Sequence, residues 1–151
     1  MLLSDQPIFT VEADLEPMLN LGRTPYGERR IIGIAGGRVY GTKLAGRILP
    51  GGADWQFIRN DGAADIQARY TIEAEGGAHI LVNSVGLRHG PPHVIERLAR
   101  GDKVDPALYY FRTVMRFETG DAKLDWLNRI LALARGQREA MSVRLDVFEV
   151  L

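Results

Sequence analysis

Apolar and polar residues alternate with period two along most of the chain. Phe9, Val11, Ala13 and Leu15 fall on one side and Thr10, Glu12, Asp14 and Glu16 on the other, which predicts a strand with one wet face. Pro17 cannot donate to a ladder, so it places the end of that strand at an edge or a bulge. "RTPYGERR" reads as a turn-rich link, and "RRIIGIAGGRVYGTKLAG" as two short strands around a Gly36-Gly37 hairpin turn. "DWQFIRNDGAADIQARYTIEA" predicts a hairpin about Asp61-Gly62. In its second strand Ile66, Ala68, Tyr70 and Ile72 share one face, and Gln67, Arg69, Thr71 and Glu73 share the other. Gly76-Gly77 marks a further turn before a strand over 78–85. "PPHVIERLARG" departs from the pattern: two prolines, Val94, Ile95 and Leu98 at helical spacing, and Gly101 past the end predict a short helix. "DPALYYFRTVMRFET" predicts a long aromatic strand and "GDAKLDWLNR" a turn or one helical turn. Strands in "ILALARG" and "REAMSVRLDVFEVL" close the chain.

Eight to ten strands, one short helix and mostly tight turns predict an all-β fold. The expectation is a closed antiparallel β-barrel of about eight strands or more, forming one domain over residues 1–151. Closure deals with exposed strand edges most completely. Alternation alone does not separate a barrel from a sandwich, nor does it say which strand face lines the interior.

Composition narrows the function classes. Hydrophobic residues make up 46% and charged residues 25%, as in ordinary globular domains. Lys plus Arg and Asp plus Glu number 19 each, which argues against nucleic-acid and anionic-membrane partners. There is no cysteine, so disulfides and thiolate chemistry are excluded. "MLLSDQPIF" lacks the basic and apolar regions of a secretory signal, and the expected location is cytoplasmic.

The histidines are His79, His89 and His93; His89 and His93 in "HGPPH" are spaced by four residues across two prolines and read as surface residues of a loop rather than a metal site. Ser84 lacks the Gly-x-Ser-x-Gly turn of an exposed nucleophile. The glycine-rich pieces do not lead into a helix that could hold a phosphate. Polar residues within strands are more informative. Tyr110 and Arg112 share a strand face and could hold a carboxylate or phenolate, the arginine as a charged fork and the tyrosine as a hydroxyl. Asp54, between Gly51-Gly52 and Trp55, is suited to a barrel rim, where a partly dry carboxylate can move protons. Asp61 is explained by its turn.

"LPGGADWQFIRNDG", "ARYTIE", "YYFRTVMRFET" and "WLNRILALARG", with "TPYGERRIIGIAGGRVYG" upstream, resemble domain-of-unknown-function family 3237 over nearly the whole chain. The resemblance implies a compact antiparallel barrel similar to the allene oxide cyclase and calycin barrels. It also implies recurrent polar positions at Asp54, Trp55, Asp61, Arg69, Tyr70, Tyr110, Arg112, Thr119, Trp126 and Asn128. The chain departs from many relatives at Val114-Met115, where they carry Thr-Pro. Similarity of barrel shape does not transfer function.

Three functions follow. The first is a small-molecule enzyme needing no cofactor, an isomerase, cyclase or lyase acting on a hydrophobic, partly anionic substrate. Asp54 and Arg112 would be its catalytic residues. Trp55, Arg69, Tyr70, Tyr110, Trp126 and Asn128 would bind the ligand, with Phe111 in the apolar wall and no metal. The second is a calycin-like carrier of a hydrophobic small molecule. The third is an architectural or oligomeric module, its arginines paired as Arg69–Asp54 and Arg112–Glu118. The expected partner is a small-molecule ligand, with homo-oligomerisation open.

Overall fold

The computed structural model describes residues 1–151. Ten strands form one antiparallel sheet that closes on itself. In chain order they are β1 (Phe9–Leu15), β2 (Leu19–Thr24), β3 (Gly27–Tyr40), β4 (Gly46–Ile48), β5 (Gly52–Ile58), β6 (Ala64–Ala74), β7 (His79–His89), β8 (Tyr110–Glu118), β9 (Ala132–Arg138) and β10 (Ser142–Glu149). Helix α1 (Pro92–Ala99) lies between β7 and β8. A 3-10 turn at Asp125–Arg129 realises the helical turn expected in "GDAKLDWLNR". No helix is long and apolar enough to cross a membrane.

Strand β3 explains how ten strands make an eight-position barrel. One of its edges pairs first with β2 and then with β1, and its other edge first with β5 and then with β4. Strands β4 and β5 each also pair with β6, so together they fill a single position. Strand β1 closes the ring by pairing with β10 and β3.

Two local expectations change. Gly36-Gly37 is not a hairpin turn, because both residues lie inside the 14-residue β3. A Cβ on Gly37 would lie 2.1 Å from the Glu12 carbonyl oxygen, so the glycine is required by the close approach of β1. The link at "RTPYGERR" instead holds the tight turn between β2 and β3. Asp61-Gly62 does form the β5–β6 turn, with Gly62 at φ 85° and the Gly62 N–H donating to the Arg59 carbonyl.

Alternation resolves into faces. Inward residues of β6 (Ile66, Ala68, Tyr70, Ile72) are buried, and Arg69 between them is exposed. At one end of the barrel the interior is filled by Phe9, Ile72, Ile80, Val82, Met115, Phe117 and Val147. Phe9 meets Phe117 edge-on there, with centroids 5.8 Å apart. Leu127, from the 3-10 turn, is fully buried. The other end carries polar side chains and lies beneath α1.

Candidate functional site

The polar end is built from inward positions of four strands. Strand β5 supplies Asp54 and Gln56, β7 supplies Ser84 and Arg88, β8 supplies Thr113, and β9 supplies Arg138. With Tyr70 of β6 they line a cavity of about 60 Å³ inside the barrel, whose remaining wall is apolar and includes Val11, Ile34, Ile66, Phe111 and Leu145. A second cavity of about 410 Å³ lies outside it, under α1, and has Ile32, Gln56, Arg88 and Arg138 in common with the inner wall. These four residues separate an inner chamber from a mouth lined by Glu16, Arg30, Ile95, Leu98 and Met141, among others.

Asp54 is held from two sides. The Gln67 backbone N–H donates to Oδ1 at 2.9 Å, and the Gln56 side-chain amide donates to Oδ2 at 3.1 Å. Pairing between β5 and β6 skips Trp55 and Gln56, and the carboxylate takes an amide that the ladder leaves free. Burial pushes the Asp54 carboxyl above the ordinary carboxylate range. The two hydrogen bonds and the charges of Arg88 and Arg138 pull the other way.

Four buried polar atoms on this wall have no hydrogen-bond partner: Gln56 Oε1, Tyr70 Oη, Ser84 Oγ and Thr113 Oγ1. Gln56 and Ser84 are 1% exposed and Thr113 2%. Such atoms cost free energy unless something in the cavity meets them, and native interiors hold few of them. Burial pushes the Tyr70 phenol well above its ordinary value. The arginines are also unusual. Burial and the like charge of Arg138 bring Arg88 down to about 10, and burial lowers Arg138 as well. Neither takes part in any of the molecule's ion pairs. Arg88 sits over the Phe111 ring, 5.7 Å from its centroid. The Arg138 guanidinium reaches only the Ser142 carbonyl, at 3.4 Å.

Of the catalytic and ligand-binding residues expected from the sequence, Asp54, Tyr70 and Phe111 reach the cavity, as does Ser84, which lacked the nucleophile turn. The others lie elsewhere. Trp55 is 40% exposed, because strand geometry turns it outward when Asp54 points in. Arg69 is exposed on β6 for the same reason, so Arg69 and Asp54 do not pair. Tyr110 and Arg112 lie on the outer face of β8, the guanidinium 5.5 Å from the ring centroid, and Arg112 bonds the Phe111 carbonyl rather than Glu118. Trp126 packs against the core and takes Lys43 over its ring at 5.3 Å. Asn128 clamps the chain after β8 by bonding both backbone groups of Thr119 and the Asp125 carboxylate. The histidines are scattered: His79 bonds Glu73 at 3.0 Å, and His89 stacks on Tyr110. The sequence reading missed Gln56, Arg88, Thr113 and Arg138. For Arg88, Thr113 and Arg138 the available signal was an even spacing from buried neighbours on the same strand, two residues from Phe111 to Thr113 and four from Ser84 to Arg88 and from Ala134 to Arg138.

The family model described as "Protein of unknown function (DUF3237)" matches residues 4–150. The chain belongs to this family. A UPF0311 protein of Bradyrhizobium diazoefficiens is 42% identical over 149 residues, covering 99% of this chain and 97% of the relative. The crystal structure of a conserved protein of unknown function from Rhodopseudomonas palustris matches with a TM-score of 0.92 and 40% identity, covering 99% and 97% of the two chains. A β-barrel-like protein from Acinetobacter baumannii matches at 0.85 and 39% identity, over 99% and 96%. An enzyme from Penicillium herquei shares the fold at 0.73 with 18% identity, over 100% and 96%. That last likeness concerns the fold alone.

Proposed function

We propose that the polar end of the barrel binds a small, partly apolar molecule and that Asp54 exchanges a proton with it, as in a cofactor-independent isomerase, cyclase or lyase. The observation that carries this reading is the buried Asp54 carboxylate beside a cavity wall with four partnerless polar atoms. A carboxylate whose proton affinity is raised by burial is a stronger base when ionised. Hydroxyls of Tyr70, Ser84 and Thr113 are available to donate to an oxygen on which charge develops. Together these groups suit removal of a proton from carbon next to a carbonyl.

The test is deuterium incorporation from D2O into a panel of small enolisable ketones and oxo acids, followed by NMR. The protein is expected to accelerate exchange for a subset of the panel, and Asp54→Asn to reduce that rate about a hundredfold or more while remaining folded. An undiminished rate in the variant removes Asp54 from the chemistry. Tight binding of a panel member with no exchange supports a carrier instead.

A further inference from the structure

We propose that the ligand is a monocarboxylate with a short apolar chain, and that its carboxylate is gripped between Arg88 and Arg138. This rests on the barrel interior being the ligand site, as proposed above. Arg88 and Arg138 belong to the walls of both chambers, at the passage from mouth to interior. Both arginines are half-buried, and charges partly withdrawn from water are normally paired, yet neither has a carboxylate within 4.0 Å. Asp54 is near enough for its charge to act on both arginines but is not within 4.0 Å of either, and its oxygens accept from Gln67 and Gln56 instead. Arg30, in the mouth wall, is already paired with Glu28 at 3.4 Å and adds no free charge, though its buried Nε lacks a partner. Among the residues lining the inner chamber, Arg88 and Arg138 stand against Asp54 alone, which leaves that wall short of one negative charge; Glu16, the carboxylate of the mouth wall, pairs with neither arginine. A carboxylate supplies that charge and matches the planar arginine fork.

The inner chamber sets the rest of the molecule. Its volume of about 60 Å³ holds about four water-sized groups. Eleven of its 17 lining residues are hydrophobic, which selects a short apolar chain beyond the carboxylate. With the carboxylate at the arginines, the adjoining carbons enter the chamber that Asp54, Ser84 and Thr113 line.

The experiment is an NMR titration of the whole protein with isovalerate, with the neutral amide isovaleramide, and with inorganic phosphate, following the arginine Nε–H signals. Isovalerate is expected to shift the Arg88 and Arg138 signals and to bind at least about tenfold more tightly than the amide. Arg88→Gln and Arg138→Gln should each weaken it about tenfold, while Arg69→Gln and Arg112→Gln on the outer face leave it unchanged. Equal affinity for acid and amide, binding without those shifts, or tighter binding of phosphate would each overturn the proposal. The comparison of acid with amide uses the wild-type protein and does not depend on any variant folding. Asp54→Asn separates the two readings: it should lose deuterium exchange yet still bind isovalerate. Isovalerate binding with no exchange activity sinks the proton-transfer function and leaves the clamp. Exchange on larger substrates, with isovalerate not bound, does the reverse.

Discussion

The residues at the polar end trade stability for exposure of chemical groups to the cavity. Asp54 is the clearest case. Its folded-state proton affinity is raised, so the native protein loses stability as pH climbs from the unfolded carboxyl value near 4 through the higher folded value, and the loss is complete above it. Asp54→Asn has no such loss. Its new amide can donate to Gln56 Oε1, now partnerless, once the Gln56 amide turns over. The variant should therefore be more stable than wild type by roughly 1 kcal/mol at pH 7, with the gap closing toward pH 3, as read from urea midpoints at both values. Thr113→Val keeps the branched shape and removes a buried hydroxyl that has no partner. Thermal or urea unfolding should show it stabilised by roughly 1 kcal/mol. A destabilised variant would mean that the hydroxyl is satisfied in solution.

At the level of elements, the site depends on which strand face turns inward, and local packing then shapes the chamber. Gly136 of β9 is an example. A Cβ there would lie 2.6 Å from the Phe111 ring, which itself forms part of the cavity wall. Gly136→Ala forces the ring to move and should cost about 1–3 kcal/mol by urea unfolding. The sequence made most elements legible: the β5–β6 hairpin, the prolines and apolar spacing of α1, and the alternation of β1, β6 and β10 all have local causes. It misled at Gly36-Gly37, where the same dipeptide that makes tight turns instead lets β1 approach β3. Strand β2 was hidden because its residues are mostly exposed and carry no alternation of burial.

For the whole molecule, closure is the deciding event. Strand β1 bonds β10 on one edge and β3 on the other, joining the two ends of the chain. Phe9 sits at that seam, fully buried and packed on Phe117. Phe9→Ala should cost about 3–5 kcal/mol, a large share of a small domain's stability. Loss of amide-exchange protection should spread from β1 to β10 and the second half of β3. Protection lost in β1 alone would show that the barrel holds without its seam.

The sequence by itself determined most strands, most turns and the all-β class, because alternation and turn chemistry act between residues a few positions apart. It also marked Asp54 and Tyr70 as polar groups in strands. Only the tertiary structure decided which groups meet. Reversing sides at every residue sends Trp55, Arg69, Tyr110 and Arg112 outward. It brings Arg88 and Arg138, 50 positions apart in the chain, to one passage beside Asp54. Inside and outside are defined only when the sheet closes, so no local pattern could have assigned them.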